Sequence, residues 1–340
     1  MIEQRIKNEQ TLKNWRAFKS HKTGYFSIWI IVISCLFSFT AEFWANSKPL
    51  YLNYQGTTYF PVFKDYSVKD FGITDSMQID YRNLKLGEND SIIWPLIQWD
   101  PYESNKKVDE YPAPPSSQNL MGTDDRGRDV LTRLLYGLRY SIGYSIGVWV
   151  VTFIIGTILG SLQGFYGGWI DLLGQRVTEI LSTVPVLFLL IILISIFEPS
   201  LSLLIIITSI FGWISISIYM RAEFLKNRKR EYVEAARALG QSHFKIIVRH
   251  ILPNSLGPII TFSPFVIAGG ISGLAALDYL GFGLAPPTPS WGELLAQAQK
   301  NFTTGWWLVL YPFLSLFTIL VAFNFIGEAI RDALDPHKQK

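Results

Sequence analysis

Polar and apolar residues along this chain fall into blocks rather than alternating. Six blocks of about 20 residues carry few or no charges: Tyr25 to Ala45, Leu138 to Gln163, Val177 to Phe197, Leu201 to Tyr219, Leu256 to Leu280 and Trp307 to Gly327. Each is apolar all round instead of along one stripe, unlike the helices of a water-soluble core. A hydrocarbon layer about 30 Å thick takes about 20 residues of helix to cross. The pattern predicts an all-α membrane protein with six transmembrane helices, their ends set only to within a few residues.

Composition points the same way. The 340 residues are 49% hydrophobic, 15% aromatic and only 17% charged, and the mean hydropathy is positive, as in membrane proteins. The first block follows a basic stretch, so a cleaved signal peptide is a competing reading. Its long apolar run and the lack of a small-x-small site after it favour a retained helix. Cys35, the sole cysteine, lies in this block, so no disulfide forms within the chain and the side chain reads as filler.

Lysine and arginine set the orientation. Arg5, Lys7, Lys13, Arg16, Lys19 and Lys22 precede the first block, and Arg221, Lys226, Arg228, Lys229, Arg230, Arg237, Lys245 and Arg249 follow the fourth. Both segments are expected in the cytoplasm. The division is then a basic cytoplasmic segment (1–24), a first helix (25–45), an extracytoplasmic insertion (46–120), a five-helix core (121–330) containing a cytoplasmic loop at 220–255, and a cytoplasmic tail (331–340).

Within the cytoplasmic loop, "REYVEAARALGQSHFKIIVRHILPN" (Arg230 to Asn254) reads as two short helices around Gly240. Ala235, Ala236 and Ala238 are strong helix formers, and glycine ends a helix in the left-handed conformation at little cost. Ser242 is placed to cap a second arm running to Pro253, with an apolar stripe of Phe244, Ile247, Val248 and Ile251. The alanine-bearing arm presents a low surface, suited to another protein's cleft.

Glu234-Ala235-Ala236, then Gly240, then Ile251-Leu252-Pro253 is similar to the "EAA" loop of the membrane subunits of ATP-binding-cassette importers, without the spacer residue of the looser consensus at its end. "MGTDDRGRDVLTRLLYGLRYSI" (Met121 to Ile142) and "LDYLGFGLAPPTPSWGELL" (Leu277 to Leu295) resemble signatures of the dipeptide, oligopeptide and nickel branch of these importers. Their residue types also have a physical reading. Gly122 and Gly127 permit tight turns, while Gly281, Gly283, Pro286, Pro287 and Pro289 make a stiff, non-helical exit. The insertion, Asn46 to about Leu120, suggests a β-hairpin around Gln55-Gly56, and Tyr51, Tyr54, Tyr59, Phe60, Trp94 and Trp99 are candidates for a small packed unit. Together with the ending "GEAIRDALDP", it resembles a subgroup of peptide-importer permeases associated with oligopeptides and peptide–nucleotide antibiotics such as microcin C.

The resemblance implies a permease subunit of the bacterial inner membrane, with both termini cytoplasmic, working by alternating access. Its implied partners are a second homologous permease, two copies or a tandem fusion of a cytoplasmic ATP-binding subunit, an extracytoplasmic peptide-binding protein, membrane lipid and a peptide substrate, with no nucleic acid. It also implies that Glu234, Ala235, Ala236, Gly240, Ile251, Leu252 and Pro253 couple the chain to ATP hydrolysis. Tyr51, Tyr54, Tyr59 and Phe60 are a candidate docking surface for the binding protein, with contact to the partner permease an equal alternative. The chain departs from the oligopeptide pattern in its fifth helix, where the usual glutamate and serine positions hold Leu274 and Asp278. Two readings of Asp278 stay open: a carboxylate lining the pathway one turn along, or a hydrated interfacial residue.

The chain shows no G-x-x-x-x-G-K-[ST] phosphate loop and no H-x-x-x-H or C-x-x-C pair, and His21, His243, His250 and His337 are scattered. No catalytic, cofactor or metal residues are expected, and ATP hydrolysis falls to a partner. A dipeptide or nickel permease of the same branch is an alternative substrate reading. A secondary transporter would need internal repeats or charged midplane groups, for which Pro185, Pro264 and Glu179 offer little. An intramembrane enzyme would need a reactive pair inside the apolar blocks, and none is present.

Overall fold

The computed structural model describes residues 9–71 and 79–335. Arg5, Lys7 and His337, which entered the sequence reading, lie outside the described residues. The chain opens with helices α1 (Glu9–Ser20) and α2 (Lys22–Phe39) and a single turn α3 (Ala41–Trp44). Three short strands follow: β1 (Tyr51–Tyr54), β2 (Thr57–Tyr59) and β3 (Ser91–Ile93). Next come α4 (Val130–Tyr166), α5 (Gly168–Ser182), α6 (Val186–Ile196) and α7 (Leu201–Asn227). The segment 228–255 holds α8 (Glu231–Ala238), α9 (His243–Lys245), a π-helical turn over Ile246–Ile251 and α10 (Leu252–Ser255). The chain then runs through α11 (Gly257–Tyr279), α12 (Trp291–Lys300) and α13 (Trp306–Leu334).

Five of these helices, α2, α4, α7, α11 and α13, are long and apolar enough to cross a membrane. The third apolar block is not one continuous helix. It is divided between α5 and α6, which are bent by 69° at a short break and reach spanning length only as a pair. Pro185, the residue before α6, explains the break: it has no N–H to give the preceding turn, and its ring clashes with the carbonyl four residues back. The residue before a proline is also pushed away from helical angles. Three helices outrun their apolar blocks, α13 running past Gly327 to Leu334. The 37 residues of α4 rise about 55 Å at 1.5 Å per residue, and α7 continues past Tyr219 through Arg221 to Asn227.

The chain divides into two compact units, one of residues 1–32, 141–285 and 316–340, the other of 33–140 and 286–315. In the first, α4 and α7 approach closely along three glycines spaced four apart. A Cβ at Gly156, Gly160 or Gly164 would stand 2.7, 2.4 and 2.6 Å from the backbone oxygens of Trp213, Ser217 and Arg221 respectively. Such small-xxx-small spacing lets helix backbones meet where apolar burial supplies no drive between helices. In the same unit, Phe18 of α1 is buried with Ala329 and Ala333 of α13.

In the second unit the strands form a sheet of order β2-β1-β3, with Leu52 opposite both Tyr59 and Ile92. Gln55 (φ 49°) and Gly56 (φ 77°) make the two-residue turn between β1 and β2, and two positive φ angles suit the twist of an antiparallel hairpin. Leu52, Phe71 and Tyr81 form a small core with Tyr54, Tyr59 and Trp94 packed on it. Trp99 is not part of it. It packs with Ala41, Ala45, Ile97 and Tyr136, donates its Nε1–H to the Gln118 carbonyl at 2.9 Å, and carries the Arg82 guanidinium 4.2 Å above its ring.

Candidate functional site

The α8 arm starts at Arg230 in extended conformation and carries Glu231 and Glu234 in its first turn, where carboxylates complement the partial positive charge of a helix start. It stops at Gly240, whose φ is +73°. The Gly240 amide donates to the Arg237 carbonyl at 2.9 Å and the Gln241 amide to the Ala236 carbonyl at 3.1 Å. These are the paired 5→2 and 6→1 bonds of a Schellman cap, which needs a left-handed residue at this position. The Gln241 side chain then meets His250 Nε2 at 2.8 Å, tying the turn to the returning arm.

The returning arm departs from the expected helix in register and in its end. Ser242 makes no side-chain cap. Phe244 and Val248 are exposed, and the buried residues are Ile246 and Ile251. These two are five apart, which is the spacing of a π turn rather than of an α-helix. The Leu252 amide accordingly donates to the Ile247 carbonyl, five residues back. The wider turn accommodates Pro253, so the arm passes through the proline and ends at Ser255. Ser255 is buried, and its Oγ receives a hydrogen bond from Asn227 Nδ2 of α7 at 3.2 Å.

Val233, Ala236, Ile246 and Ile251 thus fix both arms to one core with Phe165, Ile216, Met220, Phe224 and Ile259. Arg228 holds the adjoining end of α4 by donating to the Gly164 and Phe165 carbonyls at 3.1 and 3.2 Å, the carbonyls that a helix C-terminus leaves open. The sequence-expected residues therefore divide. Ala236 and Ile251 face inward, Leu252 is half-buried, and Glu234, Ala235, Gly240 and Pro253 are exposed. Around the joint, Leu239 is 79% and Phe244 76% exposed. These two apolar side chains extend the exposed surface beyond the residues the sequence pointed to.

The stretch from Met121 to Ile142 and the residues after Pro286 build a second constellation that sequence reading did not anticipate. Arg128 donates to Asp124 at 2.7 Å and to Glu293 at 3.0 Å. Arg133, fully buried, pairs with Glu293, stands 3.5 Å from Asp124, and donates to the Pro101, Pro287 and Thr288 carbonyls at 2.8, 3.2 and 3.3 Å. Asp129 accepts from the Thr132 amide at 2.8 Å, capping the start of α4, and from Asn119 Nδ2 at 2.9 Å. Burial pushes the Asp129 carboxyl above the usual range against those hydrogen bonds. Gly122 and Gly127, both with positive φ, make the turns. This is a buried, ion-paired scaffold, and its signal in sequence was only the density of charge in "TDDRGRDVLTR".

Asp278 is buried near the end of α11. Its Oδ1 accepts from the Leu284 amide at 2.7 Å, and a Cβ at Gly283 would collide with the same carboxylate. The carboxylate therefore holds the turn that leaves α11. Among the candidate docking residues, Tyr54 and Tyr59 pack their rings 5.5 and 4.7 Å from Phe71. Tyr51 meets Phe60 edge-on at 5.8 Å, and Phe60 is exposed. Among the described residues no group of three or more His, Cys, Asp or Glu could hold a metal ion.

The family described as "Binding-protein-dependent transport system inner membrane component" matches residues 156–340. The chain is 43% identical over 329 residues to the inner membrane ABC transporter permease protein YejE of Escherichia coli, an alignment covering 95% of this chain and 96% of that one. It is 38% identical over 357 residues to the peptidoglycan transport system permease protein YejE of Agrobacterium fabrum, covering 96% and 93%. A dipeptide transport system permease protein, DppC of Alkalihalophilus pseudofirmus, is 37% identical over 222 residues, covering 65% and 73%. The two YejE chains thus match nearly end to end, and the long insertion between the first two apolar blocks is a resemblance to that type.

Proposed function

The chain belongs to the family of binding-protein-dependent transport system inner membrane components, and from that premise we propose that it is the permease subunit of a peptide importer. Counting the bent α5–α6 pair as one crossing gives six, and the lysine and arginine distribution favours both termini in the cytoplasm. The observation that carries the reading is the Gly240 joint. It holds Glu234, Ala235, Leu239 and Phe244 outward while Ala236, Ile246 and Ile251 anchor the arms in a buried core. An exposed apolar tip on a rigidly seated two-arm element is the kind of surface that inserts into another protein.

The partners of this reading are a second homologous permease, cytoplasmic ATP-binding subunits as two copies or a tandem fusion, and an extracytoplasmic peptide-binding protein. ATP-driven closure of the ATP-binding subunits would draw the arms together and shift the two permeases between outward-open and inward-open arrangements, with hydrolysis resetting them. Force on Glu234 and Ala235 passes through Ala236 and Ile251 into α4, α7 and α11, because these share the core. The substrate class follows the relatives, one named for peptidoglycan transport and another for dipeptide transport.

The test is uptake of a labelled panel of dipeptides, longer oligopeptides, peptidoglycan-derived peptides and a peptide–nucleotide in cells lacking this chain, with copurification of the tagged chain. The reading expects loss of peptide uptake, its restoration by the chain, and recovery of ATP-binding and permease partners. Purified chain that hydrolysed ATP without partners would overturn it.

A further inference from the structure

The break between α5 and α6 has a use that the transport reading leaves unassigned. With the orientation given above, the Glu198–Ser200 link lies outside the membrane and α6 descends from it. The 11 residues of α6 rise about 16 Å, roughly half of a 30 Å hydrocarbon layer. Ser182 to Pro185 is thereby placed near the bilayer mid-plane. An interrupted helix is tolerated at that depth only where protein covers it or water lines it. In this chain Ser182, Thr183 and Pro185 are exposed, and α6 begins without a side-chain cap.

The exposed side of α5 is mixed, with Val177 and Ile180 beside a charged pair. Arg176 and Glu179 pair at 2.5 Å with side chains 67% and 55% exposed. Positions 176, 179 and 183 recur at spacings of three and four, one face of a helix, and lipid is a poor solvent for such a face. Thr183 Oγ1 donates to the Ile180 carbonyl at 2.7 Å and Ser182 Oγ to the Thr178 carbonyl at 2.6 Å. With each hydroxyl proton used internally, these side chains present acceptor lone pairs. Their complement is a donor, and the main-chain N–H recurs at nearly every residue of a peptide whatever its side chains.

We propose that Ser182 to Pro185 is where this chain lines a water-filled peptide pathway, the two hydroxyls accepting from main-chain amides of the passing peptide. The inference rests on the transport reading and adds the place and chemistry of contact. Cys35 is the only cysteine, so Cys35→Ala gives a background for Thr183→Cys, with Ser182→Cys as a second probe should the first fail to assemble. The assembled complex, with its permease and ATP-binding partners, is reconstituted in vesicles and treated with a membrane-impermeant cationic methanethiosulfonate. Labelling at Thr183→Cys is expected to be at least tenfold faster than at Leu36→Cys, an exposed position on α2. It is also expected to change with nucleotide state and to slow under saturating tripeptide. Labelling no faster than at Leu36→Cys in every nucleotide state, or indifferent to both nucleotide and peptide, overturns the proposal. The two readings separate: a wild-type complex that imports no peptide overturns the transport assignment, whereas one that imports peptide while both probes stay unlabelled overturns only this inference.

Discussion

Arg128 and Glu293 are 165 residues apart in sequence and 3.0 Å apart in space. With Asp124 and Arg133 they balance two guanidinium groups against two carboxylates. Arg128, Asp124 and Arg133 are at most 3% exposed. A charge taken so far from water is tolerable only while its partners remain.

Replacing Glu293 by glutamine should therefore be costly. It leaves Arg133 buried with Asp124 as its one remaining carboxylate, and losing one partner of a buried pair costs about 3 kcal/mol or more. Glu103→Gln, which breaks the Arg82–Glu103 pair at a partly exposed site, should cost no more than about 1 kcal/mol. Thermal unfolding of both variants in one detergent checks the order. Equal melting temperatures would contradict the account of the cluster as a scaffold.

Gly160→Ala should destabilise the α4–α7 contact by about 1 to 3 kcal/mol, since overpacking displaces backbone and the new methyl would meet the Ser217 carbonyl oxygen at 2.4 Å. Gly273→Ala on α11 has no atom within 4 Å of the new methyl and should be neutral or slightly stabilising, because alanine favours helix over glycine by about 1 kcal/mol. Folded yield by size-exclusion chromatography distinguishes the two.

Much of the architecture was legible because length and hydropathy are strong signals where the solvent is lipid. The six apolar blocks correspond to five long helices and the α5–α6 pair. The break at Pro185 was visible as a residue but not as a bend, since proline inside a span is sometimes absorbed, as Pro264 is within α11. The stop at Gly240 was readable because a left-handed cap has few alternatives to glycine. The register of the following arm was not, because stripe counting assumes 3.6 residues per turn and the Ile246–Ile251 turn is wider. The closure of the Asp124–Arg128–Arg133 group by Glu293 was beyond reach, since the first three lie within ten residues of one another whereas Glu293 is 165 residues from Arg128 and nothing local points to it.

Glu42 and Arg139 form a two-pronged pair, Arg139 Nη1 to Oε1 at 2.7 Å and Nη2 to Oε2 at 3.0 Å. The hydrogen bonds from Arg139 hold the Glu42 carboxyl below its usual range. A lowered folded-state pKa means the contribution is present above the unfolded value, about 4.3, and is lost as pH falls through the depressed one. Glu42→Gln should lower stability at pH 7 by less than about 1 kcal/mol, given its partial exposure. It should also flatten the acid limb of a melting-temperature profile between pH 6 and 3. An unchanged acid limb would mean other carboxylates dominate it.

Removing residues 50–63 would strip Leu52, Tyr54 and Tyr59 from the small core, so docking is better tested by point changes. Phe60 and Phe63 are exposed at 45% and 67%. Phe60→Ser with Phe63→Ser should leave the complex assembled and reduce stimulation of ATP turnover by loaded binding protein at least threefold. Unaltered stimulation with a weakened hold on the second permease would assign the surface to that partner instead.

Gly240→Val should uncouple ATP turnover from peptide uptake, and the reason is confined to the backbone. At φ +73° a residue with a β-carbon pays about 1 to 2 kcal/mol, and a β-branched one more. Crowding within this chain contributes nothing, because a Cβ here meets no atom within 4 Å. Strain of this size is relieved by re-aiming α8 against the Ile246–Ile251 turn, which moves Glu234, Ala235 and Leu239 relative to the buried Ile246 and Ile251 of the returning arm. Asparagine tolerates left-handed angles better than other residues with a side chain, so Gly240→Asn should keep most of the uptake. A purely local loss of stability would treat valine and asparagine as a graded pair in melting temperature with uptake unchanged in both. Reconstituted vesicles supply the three readouts: partner retention, ATP turnover and peptide uptake. The expected pattern for valine is retained partners and ATP turnover with uptake reduced at least fivefold, and for asparagine near wild-type values in all three. Wild-type uptake with valine would remove the coupling role from this joint and leave Gly240 a simple helix stop.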